Sequence, residues 1–137
     1  MKPEIVSFKS AEEVIRIHDS LIQEFGGRSG ILNMGLLESA INQPFNIWLY
    51  ETRNNRKIYN LAAAYFYHII KNHPFIDGNK RTGLLTAVEF IYNNGYELKK
   101  QYRDMDDLYE LAIDTASSKL TTEDIAIFFK QAIKKIK

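Results

Sequence analysis

The segment His73-Pro74-Phe75-Ile76-Asp77-Gly78-Asn79-Lys80-Arg81-Thr82-Gly83 holds, within a few residues, a titratable base, a carboxylate, an amide, a flexible glycine and two cations. A histidine side chain changes charge near neutrality, which suits His73 to act as a general base on an attacking hydroxyl. Asp77 would repel a phosphate unless a cation lay between them, and Mg²⁺ bridging carboxylate and phosphates is the usual solution. Arg81 can grip a phosphate through two parallel N–H donors, while Lys80 acts as a mobile point charge. Asn79 can orient an oxygen of the loop or of a nucleotide. A helix starting in the second half of the segment adds unpaired N–H groups and the positive end of its dipole. The dipole contributes about 0.3–1 kcal/mol, and up to about 2 when sheltered. A micromolar nucleotide complex needs about 8 kcal/mol, so backbone alone is insufficient and the two cations must supplement it. These parts describe transfer of a phosphate ester from a nucleotide.

Helices must position this segment, because helical periodicity dominates the chain. Ser10 and Glu13 form a capping-box pattern ahead of a helix over residues 11–25, with Val14, Ile17, Leu21 and Ile22 on one face and Gly26-Gly27 at its end. A short helix is expected over 35–42, with Leu36, Leu37, Ala40 and Ile41 inward. Residues 44–56, with Trp48, Tyr50 and three asparagines, lack a clean period and read as a loop or a small hairpin. A strong helix over 57–72 stops at His73, since Pro74 disfavours a helical residue before it. The next runs over 79–93 to Asn94-Gly95, followed by a short extended piece at 96–100. Helices over 105–117 and 122–136 complete the chain, the last capped by Thr121, with Lys134, Lys135 and Lys137 at its negative end. The expected fold class is an all-α bundle of about six helices.

Composition limits the partners. The chain has 137 residues, 18 Lys plus Arg against 17 Asp plus Glu, and no cysteine. That is the size of one domain, and no repeat or Pro/Gly/Ser linker offers a boundary, so residues 1–137 read as a single domain. A net charge of +1 gives no global attraction for nucleic acid or an anionic membrane. The absence of cysteine excludes disulfide and thiolate chemistry and fits a reducing cytoplasm. No secretion signal is visible at Met1–Phe8, and the mostly apolar run over 61–70 is about half a membrane span.

The pattern His-Pro-Phe-x-Asp-Gly-Asn-x-Arg resembles the signature loop of the Fic superfamily, and Lys80 before the arginine resembles its Doc (death-on-curing) branch. Ile17-His18-Asp19, Phe25-Gly26-Gly27 with Gly30, and Gly35-Leu36-Leu37-Glu38-Ser39-Ala40 are similar to Doc segments in the same order. The resemblance covers about residues 10–130. It implies His73 as the base, Asp77 as the Mg²⁺ ligand, and Gly78, Asn79, Lys80, Arg81 and Thr82 as the nucleotide-phosphate set. His73, Asp77, Lys80 and Arg81 would be the catalytic group, with Phe75 anchoring the loop in the core. Residues 44–56, with Trp48 and Tyr50, fall where the family has a flap that positions a target segment.

Fic AMP-transferases have a small residue where this chain has Lys80, and a second arginine where it has Leu84. Doc proteins share that departure and are similar to kinases, presenting the γ-phosphate instead of the α-phosphate. The family's self-inhibitory motif, in which a glutamate precedes Gly or Asn, is absent, so restraint would come from an antitoxin whose disordered tail folds on the toxin. The resemblance therefore implies a cytoplasmic toxin of a toxin–antitoxin pair, using ATP and Mg²⁺ to phosphorylate a Ser or Thr of a translation factor, elongation factor Tu. It would touch nucleic acid only through its antitoxin. A Fic-type AMP-transferase and an inactive binding module are the alternatives.

Blander roles stand beside these. Asp77-Gly78 makes a turn, Asn79 an N-cap, and Lys80 and Arg81 alone would be solvated cations. His18 reads as a helix-surface or structural residue. His68 and His73, five apart, would diverge by about 140° on a continuous helix and are not expected to share a metal. Tyr65, Phe66, Phe128 and Phe129 read as core or core edge, and Trp48 as either a lid residue or a packing anchor.

Overall fold

The computed structural model describes residues 5–137. Six α-helices and one two-stranded sheet follow in the order α1 (Ala11–Phe25), α2 (Met34–Tyr50), α3 (Ile58–Asn72), α4 (Asn79–Asn93), β1 (Tyr96–Leu98), α5 (Met105–Ala116), α6 (Thr122–Ala132) and β2 (Ile133–Lys135). The all-α fold class expected from the periodicity is the one observed. Among the described residues no helix is long and apolar enough to cross a membrane.

Local sequence signals account for most helix ends. The Ser10 hydroxyl accepts the Glu13 N–H and the Glu13 carboxylate accepts the Ser10 N–H, a reciprocal cap that starts α1. Thr121 and Asp124 repeat that device at α6. Asn33 caps α2 by accepting the Leu36 N–H.

Helix α3 is the axis of the molecule. Leu61, Ala62, Ala63, Ala64, Tyr65 and Phe66 are all fully buried, and α2, α4, α5 and α6 pack around them. A helix apolar on every side belongs in the middle of a bundle, and its alanine run lets neighbouring backbones approach closely. Phe129 is fully buried and Phe128 lies at the core edge, as their pattern suggests. Helix α1 lies across α4, tied to it by the buried Lys9 ammonium, which pairs with Glu13 and Glu89.

Two expectations are corrected. Helix α2 does not stop near residue 42 but runs through Pro44 to Tyr50, and a single 3-10 turn, Arg53–Arg56, follows. There is no hairpin at 44–56. Proline removes one backbone donor and is unfavourable inside a helix, yet Leu37, Ala40 and Pro44 are buried and Ile41, Ile47 and Trp48 pack against the core. That continuous inward stripe outweighs the local penalty. At the other end of the chain, α6 stops at Ala132. Residues 133–135 pair antiparallel with β1, setting Leu98 against Ile133, Glu97 against Lys134 and Tyr96 against Lys135. The extended piece at 96–100 needed an edge partner, and Ile133 buries its side chain in providing it.

Candidate active site

His73 is the C-cap of α3 and sits in the left-handed region, φ 52° and ψ 55°. The proline that follows disfavours the right-handed helical conformation, and the chain turns sharply and leaves the imidazole exposed at the head of the loop.

Several polar backbone groups of the following loop are held from outside it. The Pro74 carbonyl accepts N–H bonds from Leu32 (2.7 Å) and Asn33 (3.1 Å), and the Ile76 N–H donates to Gly30 (3.1 Å). Residues 30–33 thereby run beside the loop, with Ile31 bridged to Phe75. Asn79 is buried, and its amide grips Phe75 twice: Oδ1 accepts the Phe75 N–H and Nδ2 donates to the Phe75 carbonyl, both at 2.9 Å. Its side chain therefore orients an oxygen of the loop, while its backbone opens α4. Phe75 is fully buried, as expected of an anchor, and stacks on His18 with centroids 3.9 Å apart.

His18 was the least legible residue here. It is 1% exposed, and its Nε2 lies 2.8 Å from the Asp77 carbonyl, to which the Nε2–H tautomer donates. The signal that places it inward is its spacing from Val14, Ile17 and Leu21, which share its buried face. It is structural, as the sequence suggests, but it secures the loop rather than the helix surface.

The Asp77 carboxylate is exposed, with Oδ2 accepting the Arg28 N–H (3.2 Å) and Oδ1 the Gly78 N–H (3.1 Å). Gly27, at φ 109°, approaches so closely that a Cβ there would stand 3.0 Å from Asp77 Oδ2. Gly78 is the N-cap of α4 at φ 77°, a conformation a side chain resists. It makes no side-chain cap, so the first amides of α4 have no side-chain acceptor at that position and present an anion site. Lys80 and Arg81 leave the first turn half-buried. Thr82 is fully buried and its hydroxyl has no partner, so it faces the helix packing rather than the loop surface.

The loop thus collects His73, Asp77, Gly78, Lys80, Arg81 and the backbone of Asn79. Trp48 and Tyr50 are not brought to it. The start of α2 meets the loop, where the Asn72 amide donates to the Leu36 carbonyl, and Tyr50 lies about 20 Å further along that helix. Trp48 packs edge-on against Phe8 with Arg56 over its ring, as a packing anchor. The segment flanking the loop is 28–33, a role the sequence did not suggest because its pairing partner lies more than forty residues away.

A family model described as the Fic/DOC family matches residues 8–91, a stretch that contains the whole loop and most of α4. The chain belongs to the Fic/DOC family. A curated relative from Escherichia phage P1, named "Protein kinase doc", is 30% identical over 117 residues, covering 85% of this chain and 88% of the phage protein. "Toxin Doc" from Mycolicibacterium smegmatis is 30% identical over 102 residues, covering 74% of this chain and 77% of that protein. Within this Fic/DOC chain, α5 and α6 lie beyond the matched stretch yet bury Leu108, Ala112, Ile125 and Phe129 in the shared core.

Proposed function

We propose that the protein is a Doc-type toxin of a toxin–antitoxin pair, a protein kinase that moves the γ-phosphoryl group of ATP to a hydroxyl of a translation factor, elongation factor Tu, in the cytoplasm. The observation that carries this reading is the juxtaposition of an exposed base, His73, an exposed carboxylate, Asp77, and the open N-terminus of α4 on one rigid loop. The names of the phage and mycobacterial relatives, a protein kinase and a toxin, agree with it.

In this reading His73 accepts the proton of the target hydroxyl as its oxygen bonds to the γ-phosphorus and the bond to the bridging oxygen breaks, releasing ADP. The first amides of α4 and Lys80 hold the transferring phosphoryl group, and Arg81 grips the anion bidentately. A single exposed carboxylate fits Mg²⁺, which takes one or two protein oxygens and completes its shell with phosphates and water. Asp77 would hold that ion, and the ion would neutralise phosphate charge. Ile31, Leu32 and Ile76 form an exposed apolar rim beside the loop, a surface for an extended target segment. The choice of γ- over α-phosphate rests on Lys80 and on Leu84, which is apolar and buried where AMP-transferases have a second arginine. The antitoxin is the expected partner and would supply the restraint.

Paired labelling tests the reading. Elongation factor Tu receives γ-labelled or α-labelled ATP with the wild type or with His73→Ala. Label from the γ position alone, reduced at least about 100-fold in the variant, is expected. Label from the α position would establish AMP-transfer instead, and no label from either would make the protein a binding module.

A further inference from the structure

Arg81 is held in an unusual way. Its guanidinium carbon lies 4.6 Å from the ring centroid of Phe25, at the end of α1, and 4.6 Å from that of Tyr109, on α5. It makes no ion pair among the described residues. Glu24 and Asp106 line the same cavity, of about 360 Å³, yet neither lies within pairing distance. The cation is therefore held between two rings, while no carboxylate or carbonyl among the described residues takes up its N–H donors. An arginine held by a carboxylate would be just as ordered but already neutralised. Rings hold the plane without consuming a donor.

We infer that Phe25 and Tyr109 are positioning residues, a two-ring cage that presents the Arg81 guanidinium as a fixed, uncompensated fork for an anion. The inference rests on the reading of Arg81 as a phosphate-binding residue. Phe25 is well placed for this, because the next residues, Gly26-Gly27, carry the chain past the Asp77 carboxylate. Tyr109 makes α5, which lies outside the matched family stretch, part of the site. Removing a ring frees the long side chain to rotate, and that freedom must be lost again on binding.

Two measurements on the full chain decide the point. The first is the Arg81 Nε–H resonance, assigned by its disappearance in Arg81→Met. In the wild type it should be displaced upfield by the ring currents, and Phe25→Leu or Tyr109→Leu should return it toward the usual arginine position. Tyr109→Phe should leave it unchanged. The second is a double-mutant cycle on the dissociation constants of ATP and of inorganic tripolyphosphate. Each ring removal should weaken binding by about two- to fivefold with Arg81 present, and have no effect in the Arg81→Met background. An undisplaced wild-type resonance, or equal losses in both backgrounds, overturns the cage. If ATP fails to bind but tripolyphosphate shows the coupling, the nucleotide reading falls and the cage stands. Phe25 is 56% exposed, so Phe25→Leu tests the idea even if Tyr109→Leu unfolds.

Discussion

At the scale of single residues, the loop is built by side chains that do no chemistry. Asn79 turns both ends of its amide to Phe75, and His18 holds the Asp77 carbonyl. Asn79→Ala removes both Phe75 bonds in a buried setting and should cost about 1–3 kcal/mol of stability. It should lower phosphoryl transfer more than nucleotide binding, which urea unfolding and parallel ATP titrations would resolve. The residues proposed to touch reactants were legible, because His73, Asp77, Lys80 and Arg81 announce chemistry by type and spacing. Those that aim them were harder to read. A buried histidine, a second aromatic on α5 and a backbone amide at Arg28 acquire their roles only through contacts distant in sequence.

At the scale of elements, the helix starts were written locally and the failures were not. Capping boxes at Ser10 and Thr121 involve residues three apart, within reach of any reading of the chain. The run of α2 through Pro44 and the end of α6 are not encoded locally, because the deciding partners, the core stripe under α2 and the strand Tyr96–Leu98, lie elsewhere. The α1 cap also carries a pH signature. Partial burial of Glu13 works to raise its pKa but is outweighed by the hydrogen bond from the Ser10 backbone and by Lys9, so the carboxyl sits below its ordinary value. A depressed folded-state pKa gives stability that is present above the unfolded-state value and lost as pH falls through the folded one. Urea midpoints measured from pH 6 to pH 3 should therefore fall less steeply in Glu13→Gln than in the wild type. Parallel slopes would remove Glu13 from the account.

At the scale of the whole molecule, the site depends on how closely α3 and α4 cross. Gly83 is the contact point: an added Cβ would stand 2.8 Å from Ile70 Cγ1 and 3.2 Å from the Phe66 carbonyl. Gly83→Ala should destabilise the protein by about 1–3 kcal/mol, despite alanine's better helix propensity, and weaken ATP binding by moving the start of α4. Thermal melts and ATP titration of this one variant check both. The all-α bundle itself was legible from its periods, while this crossing was not, since one glycine in a motif looks the same whether it serves a phosphate or a neighbouring helix.

The left-handed backbone at His73 separates two quantities that usually fall together. A side chain in that region costs about 1–2 kcal/mol, so His73→Gly should melt higher than the wild type, by up to about 1 kcal/mol, while losing transfer altogether. If the protein is the toxin proposed above, cells that escape it through such a change would accumulate an intact, hardier protein. The lesion would be invisible to any screen that looks for missing or degraded toxin.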